Sequence, residues 1–84
     1  MEYRLLIDLE VIEFLDRLPK RTRLRLLDQF RKIRAFPGNY SDYQEYDAVG
    51  RRVQICVVSG WAIHYWHDFA DRHMKILALK PADK

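Results

Sequence analysis

The chain has 84 residues, of which 49% are apolar and 32% charged, and it carries a net charge of +3. That length accommodates one domain, expected over residues 1–84, and the balance of apolar and charged residues excludes a disordered chain. Apolar runs such as Val57-Val58 fall far short of the roughly 20 residues that cross a bilayer, and no charged-then-apolar leader opens the sequence, so a cytoplasmic protein with no membrane partner is expected.

The first element is predicted to be a strand over Glu2–Asp8, where Tyr3, Leu5 and Ile7 alternate with Arg4, Leu6 and Asp8. Asp8 then suits a helix N-cap, and Val11, Phe14, Leu15 and Leu18 form an apolar stripe at i, i+3, i+4 and i+7. Pro19 stops that helix, because the residue before a proline is pushed out of the helical region. A second helix is predicted from Lys20 to Ala35, with Leu26, Leu27, Phe30 and Ile33 toward a core and Arg21, Arg25 and Lys32 opposite. So short a connection implies an antiparallel helical hairpin, closed by the breakers Phe36-Pro37-Gly38-Asn39.

Strands account for the rest: Tyr43–Asp47, Arg51–Val58, Trp61–His67 and His73–Leu79, followed by Pro-Ala-Asp-Lys. Short turns at Val49-Gly50 and Ser59-Gly60, and a loop over Asp68–Arg72, make this an antiparallel meander of three or four strands. The expected fold is α+β in two layers, the helical hairpin covering one face of the sheet.

Eight of the fifteen basic residues fall between Arg17 and Arg34, against one acid, Asp28. A solvated helix face accounts for some of this, but so one-sided a field also favours polyanions or an acidic protein partner. Cys56, the only cysteine, excludes an intramolecular disulfide and reads as a buried strand residue. The tyrosines Tyr40, Tyr43 and Tyr46 read as cover for a sheet edge.

The segment GWAIHYWHD holds both tryptophans and two of the three histidines. Alternation puts Trp61, Ile63, Tyr65 and His67 on one face, expected to be the core face together with Val53, Ile55 and Val57. Ala62, His64 and Trp66, with Arg52 and Gln54, fall on the open face, and the opposite assignment would reverse these roles. His64 and His67 point to opposite faces and cannot share an ion, so no metal site and no cofactor are expected.

The stretches FLDRLPKRTRLRLLDQFRKI, YDAVGRRVQICV, SGWAIHYWHD and MKILALKPADK, in this order and spacing, resemble the RelE/ParE superfamily of toxin–antitoxin toxins over nearly the whole chain. The resemblance implies a compact toxin of a type II pair, held inactive by a cognate antitoxin. RelE-like members cut messenger RNA in the ribosomal A site. ParE-like members share the fold and poison DNA gyrase instead. Metal-free cleavage uses the ribose 2′-hydroxyl as nucleophile, and so needs a proton acceptor, a cation over the phosphate and a donor for the leaving 5′-oxygen.

Carried over by position, the resemblance assigns Arg51 and Arg52 to the scissile phosphate and Tyr65 to orientation; it supplies no acid–base group here, so that work would have moved to His64 or His67, with His64 the candidate. Arg21, Arg25, Lys32 and Lys80 would dock RNA. Two departures stand against this assignment. Ala62 occupies the place of the family's arginine, and after the last strand the chain offers Lys80 and Lys84 but no tyrosine or histidine. They leave two readings open: an mRNA endoribonuclease working on the ribosome, or a non-enzymatic binder, either a gyrase poison or an inactive antitoxin-binding homologue.

Overall fold

A computed structural model describes residues 3–82 in the order β1 (Arg4–Ile7), α1 (Leu9–Asp16), α2 (Lys20–Ala35), β2 (Tyr43–Tyr46), β3 (Arg52–Val58), β4 (Trp61–Asp68) and β5 (His73–Pro81). Glu2, where the first strand was expected to begin, and Lys84 lie outside the described residues. α2 has the bounds its periodicity predicts, and each strand falls within about two residues of its predicted ends.

Local chemistry sets these bounds. The Asp8 carbonyl accepts from the amides of Val11 and Ile12 at 3.0 and 3.1 Å and so starts α1, although its carboxylate makes no capping bond. Pro19, with φ −55°, becomes the first flanking residue of α2 and accepts from the Arg23 amide at 2.9 Å. It both ends one helix and starts the next, because its fixed φ suits a helix entrance.

The sheet has five strands in the order β1-β5-β4-β3-β2. β2 to β5 form the predicted antiparallel meander, and β1 extends it by pairing in parallel with β5, Arg4 opposite His73 and Ile7 opposite Ile76. A parallel neighbour needs a crossover, and here α1, α2 and the meander together supply it. Both helices pack on one face of the sheet, α1 against β5 and α2 against β1 and β5.

The core between helices and sheet contains Val11, Leu15, Leu26, Phe30, Ile33, Cys56, Ile63, Tyr65, Met74 and Ile76. Trp61 packs against it, its ring edge-on to Phe14 at 5.1 Å. β4 therefore faces as its alternation predicts, but β3 does not. Cys56 pairs with Ile63 and Ile55 with His64, so Cys56 and Val58 point to the helices, and Val53, Ile55 and Val57 to the other side. The expectation that the valine–isoleucine set lines the helical core is thus corrected, and Gln54 moves with it to the helix side. Both sets of β3 are apolar enough to bury, and cross-strand register rather than hydrophobicity decided between them. Val53, Ile55 and Ala62, with Leu77 and Ala82, form a second, smaller apolar cluster on the open face.

One irregularity governs that face. The β4–β5 register shifts between His64 and Tyr65: His64 pairs with Ala78, Tyr65 with Ile76, and Leu77 is left over. An extra residue in one strand of a pair is a β-bulge, and it reverses the alternation beyond it. Lys75 and Lys80, an odd number of residues apart, consequently share the open face, opposite Trp66 and Ala62.

Candidate functional site on the open face of the sheet

The open face holds a shallow cavity of about 420 Å³ floored by Val53, Leu77 and Ala78 and walled by Glu45, Arg51, His64 and Lys80. Each wall residue is delivered by a different strand or turn. Arg51 is held by the turn that precedes β3. The Asp47 Oδ1 accepts from the amides of Val49 and Arg51 at 3.0 and 2.9 Å, and the Gly50 amide closes onto the Asp47 carbonyl at 3.0 Å. An aspartate opening such a turn substitutes its carboxylate for backbone acceptors. Gly50 supplies a φ of +86°, in the left-handed region that side chains disfavour. The remaining Asp47 oxygen, Oδ2, receives the Arg51 Nε at 2.6 Å.

Burial raises the Asp47 carboxyl, but the bonds from the Arg51 amide and guanidinium and the Val49 amide outweigh it and leave the pKa lowered. The side chain is therefore a stable anion fixing one edge of the guanidinium. The Arg51 guanidinium in turn lies 5.0 Å from the centre of the Trp66 ring, and the Lys75 ammonium lies 4.9 Å from the same ring. Lys75 also reaches the Asp68 carboxylate at 3.6 Å. Two cations are thus oriented by one indole, an attraction worth about 0.5–2 kcal/mol each.

His64 is half-buried beside this row. Burial lowers its pKa below the ordinary 6.5, the Lys80 ammonium lowers it further, and Glu45 opposes both. Burial and the Lys80 ammonium thus both favour the neutral imidazole, in a cavity that Arg51 also lines. Such a group accepts protons; the cations stabilise developing negative charge.

Of the residues singled out from the sequence, the structure brings together Arg51, His64 and Lys80. It separates the others from them. Arg52, one residue on, faces the helix side and lines another cavity with Gln54 and His67, because neighbours on a strand point oppositely. The two arginines therefore do not form a bidentate pair.

Tyr65 is fully buried among the helices on the far side of the sheet from His64, with burial pushing its phenol up to about 12. Its hydroxyl has no hydrogen-bond partner among the described residues; the nearby Ser41 hydroxyl donates instead to the Tyr43 carbonyl at 3.1 Å. A buried unpaired hydroxyl costs about 1–3 kcal/mol, so Tyr65→Phe is expected to raise the thermal midpoint in a melting experiment. A lowered midpoint would contradict an unbonded phenol.

Arg21 and Arg25 border a groove on the outer face of α2 with Leu24, and Lys32 pairs with Asp28 at 3.4 Å, all on the opposite side of the molecule from Lys80. Cys56 is buried, with Gln29 Nε2 at 3.5 Å from its sulfur, and burial raises its pKa. His67 is half-buried, edge-on to Tyr3 at 4.4 Å and 3.8 Å from the Phe69 ring, and burial lowers its pKa. Asp68, Asp71 and His73 do converge, their ligand atoms within 4.8 Å of one another, while His64 and His67 stay apart from them. Asp68 Oδ1 there accepts from the Asp71 amide at 3.2 Å, the bond of a tight turn.

Sequence reasoning overlooked Glu45, Asp47 and Lys75 as members of this face, whereas Trp66 lies on it as alternation predicts. Asp47 carried a signal, an aspartate three residues before a glycine, which marks a turn. Lys75 carried none, since only the bulge turns it outward.

Among the described residues no helix is long and apolar enough to cross a membrane. No family model and no curated protein matches the sequence. The fold does match solved structures. RelE in the archaeal RelE–RelB complex from Pyrococcus horikoshii OT3 superposes with a TM-score of 0.83 at 23% identity, covering 100% of this chain and 99% of that one. The toxin–antitoxin complex RelBE2 from Mycobacterium tuberculosis gives 0.81 at 12% identity, over 96% and 99% of the two chains. Isolated Escherichia coli RelE toxin gives 0.74 at 14% identity, over 98% and 86%. Two helices on a five-stranded mixed sheet, matched nearly end to end in each case, mean that this chain has the RelE-like toxin fold.

Proposed function

We propose that this chain is the toxin of a type II toxin–antitoxin pair and that it cleaves messenger RNA on the ribosome without a metal ion. The observation that carries this is the open-face cavity that His64 lines together with Arg51 and Lys80, where burial and the Lys80 ammonium lower the imidazole pKa. In the reaction the ribose 2′-hydroxyl gives its proton to His64 as its oxygen bonds to phosphorus. Arg51 and Lys80 neutralise the charge that accumulates on the phosphorane oxygens. Lys80 then returns a proton to the departing 5′-oxygen, leaving a cyclic 2′,3′-phosphate and a 5′-hydroxyl end.

Ala62 is the main sequence departure from the family pattern, and the ladder offers a substitute. Ala62 pairs with Lys80, so an ammonium on β5 lies across from the position where the resemblance calls for an arginine. Side chains directly opposite in a ladder have Cβ atoms about 4.5–5.5 Å apart, which a lysine easily spans.

The structural likeness to RelE chains supports this reading over a gyrase poison. A cognate antitoxin is the proposed protein partner, with the exposed Leu9, Ile12 and Leu24 of the helical hairpin as apolar contacts for it. Expression in cells, followed by mapping of mRNA ends on translating ribosomes, should reveal new 5′-hydroxyl ends clustered at ribosomal A-site positions. Growth arrest without such ends would overturn the nuclease assignment.

A further inference from the structure

At one edge of the sheet, Arg4 of β1, Arg34 from the last turn of α2, Arg72 of the β4–β5 loop and His73 of β5 border a cavity of about 710 Å³. Among the described residues one acid, Asp71, lines it, and Asp68 reaches His73 beside it. Among the described residues none of the three arginines forms a salt bridge. Three arginines from three separate elements therefore border one cavity, while Asp68 and Asp71 hold carboxylate oxygens within 4.8 Å of a His73 ring nitrogen.

The backbone commits to this arrangement. The Arg72 carbonyl accepts from the Arg4 amide at 3.0 Å, so docking of β1 on β5 is what brings these two arginines together. Arg72 itself has φ +57°, in the left-handed region, which costs a residue with a side chain about 1–2 kcal/mol. A bound anion would screen the charge of arginines that border the same cavity. A guanidinium fork matches a phosphate group better than an isolated ammonium does.

The cavity also adjoins the open face. Arg4 and His73 are ladder partners, and Leu6 and Lys75, two residues further along the same strands, are the next pair on that face. From Lys75 the row continues through the Trp66 ring to Arg51. Cations interleaved with an aromatic ring are the means by which proteins track a single strand.

We propose that the Arg4–Arg34–Arg72–His73 cavity is a phosphate-group site that holds a phosphodiester of single-stranded RNA beyond the one at His64. The proposal rests on the nuclease reading for its RNA ligand, but its test does not depend on cleavage.

A 2′-O-methylated single-stranded RNA, which cannot be cut, serves as probe in fluorescence anisotropy across a salt series. Arg4→Gln/Arg34→Gln should weaken binding about tenfold and flatten the slope of log K against log salt by about 1.4, since each single-strand phosphate contact contributes roughly 0.7. Arg17→Gln/Arg23→Gln removes equal charge elsewhere and should leave the slope near its wild-type value. Arg34→Gln alone, which spares β1, should flatten the slope by about 0.7. Equal losses in the cavity variant and the control would overturn the site. So would a titration with inorganic phosphate that leaves the Arg72 and His73 amide resonances unmoved. If phosphate moves them and the RNA slopes behave as expected while translating ribosomes yield no cuts, this site stands and the nuclease reading falls.

Discussion

His64→Ala is expected to slow message cleavage by about 10²–10⁴-fold, the usual contribution of a positioned proton acceptor. The pH profile makes the prediction specific. Burial and Lys80 lower the His64 pKa below 6.5, and the imidazole must be neutral to accept the 2′-hydroxyl proton. The wild-type rate should therefore rise as pH increases through a value below 6.5 and be level at neutral pH. His64→Ala should lose that rising limb. Lys80→Gln should slow cleavage too, but its limb should move to higher pH, because removing the neighbouring ammonium lets His64 hold its proton longer. Rates measured on stalled ribosomes between pH 5 and 8 test all three. An alanine variant with wild-type rate and an unchanged acid limb would remove His64 from the mechanism.

The largest effect on stability should come from Phe30→Ala. Phe30 is fully buried where α2 meets the sheet, among Leu26, Ile33, Tyr65 and Met74 in one cluster. Truncating a buried phenylalanine costs about 3–5 kcal/mol, the lost transfer energy plus that of the cavity left behind. A chain of this length is stable by roughly 4–12 kcal/mol, so the variant should be marginal or unfolded at ambient temperature. Urea denaturation should show the midpoint fall with little change in slope. Phe36→Ala is the matched contrast: Phe36 is 59% exposed just past α2, and its loss should stay within about 0.5 kcal/mol. A cost below about 1 kcal/mol at Phe30 would contradict the packing described.

The two effects separate along the two faces of one sheet. The helical face accounts for stability; the open face carries the titrating and cationic groups. Tyr65 and His64 are adjacent in sequence and belong to different faces, so one is a core residue and the other lies at the candidate site. Arg51 and Arg52 divide in the same way. A dipeptide of matching chemistry in a strand is not a bidentate site.

The bounds of α2, the break between the helices at Leu18-Pro19 and an antiparallel meander of three or four strands were legible in the residues, because periodicity of 3.6 or 2 and the conformational limits of proline and glycine act locally. The facing of β4 was legible as well, since Ile63 and Tyr65 are far more apolar than Ala62 and His64. That of β3 was not. Val53, Ile55 and Val57 make one burial face and Cys56 and Val58 another, so alternation leaves two answers of similar hydrophobic merit. The pairing of Ile55 with His64 selected one of them.

By itself, then, the sequence determined which segments become helix or strand, their order, and that His64 and Tyr65 must part company. Only the tertiary structure decided which side of the sheet each β3 residue takes, that β1 joins β5 in parallel, and that Lys75 and Lys80 lie on one face with Arg51, His64 and Trp66. The reason is physical. Alternation records relative direction within a strand, whereas register and the bulge at Leu77 are fixed by partners distant in sequence, and a shift of one residue exchanges the faces.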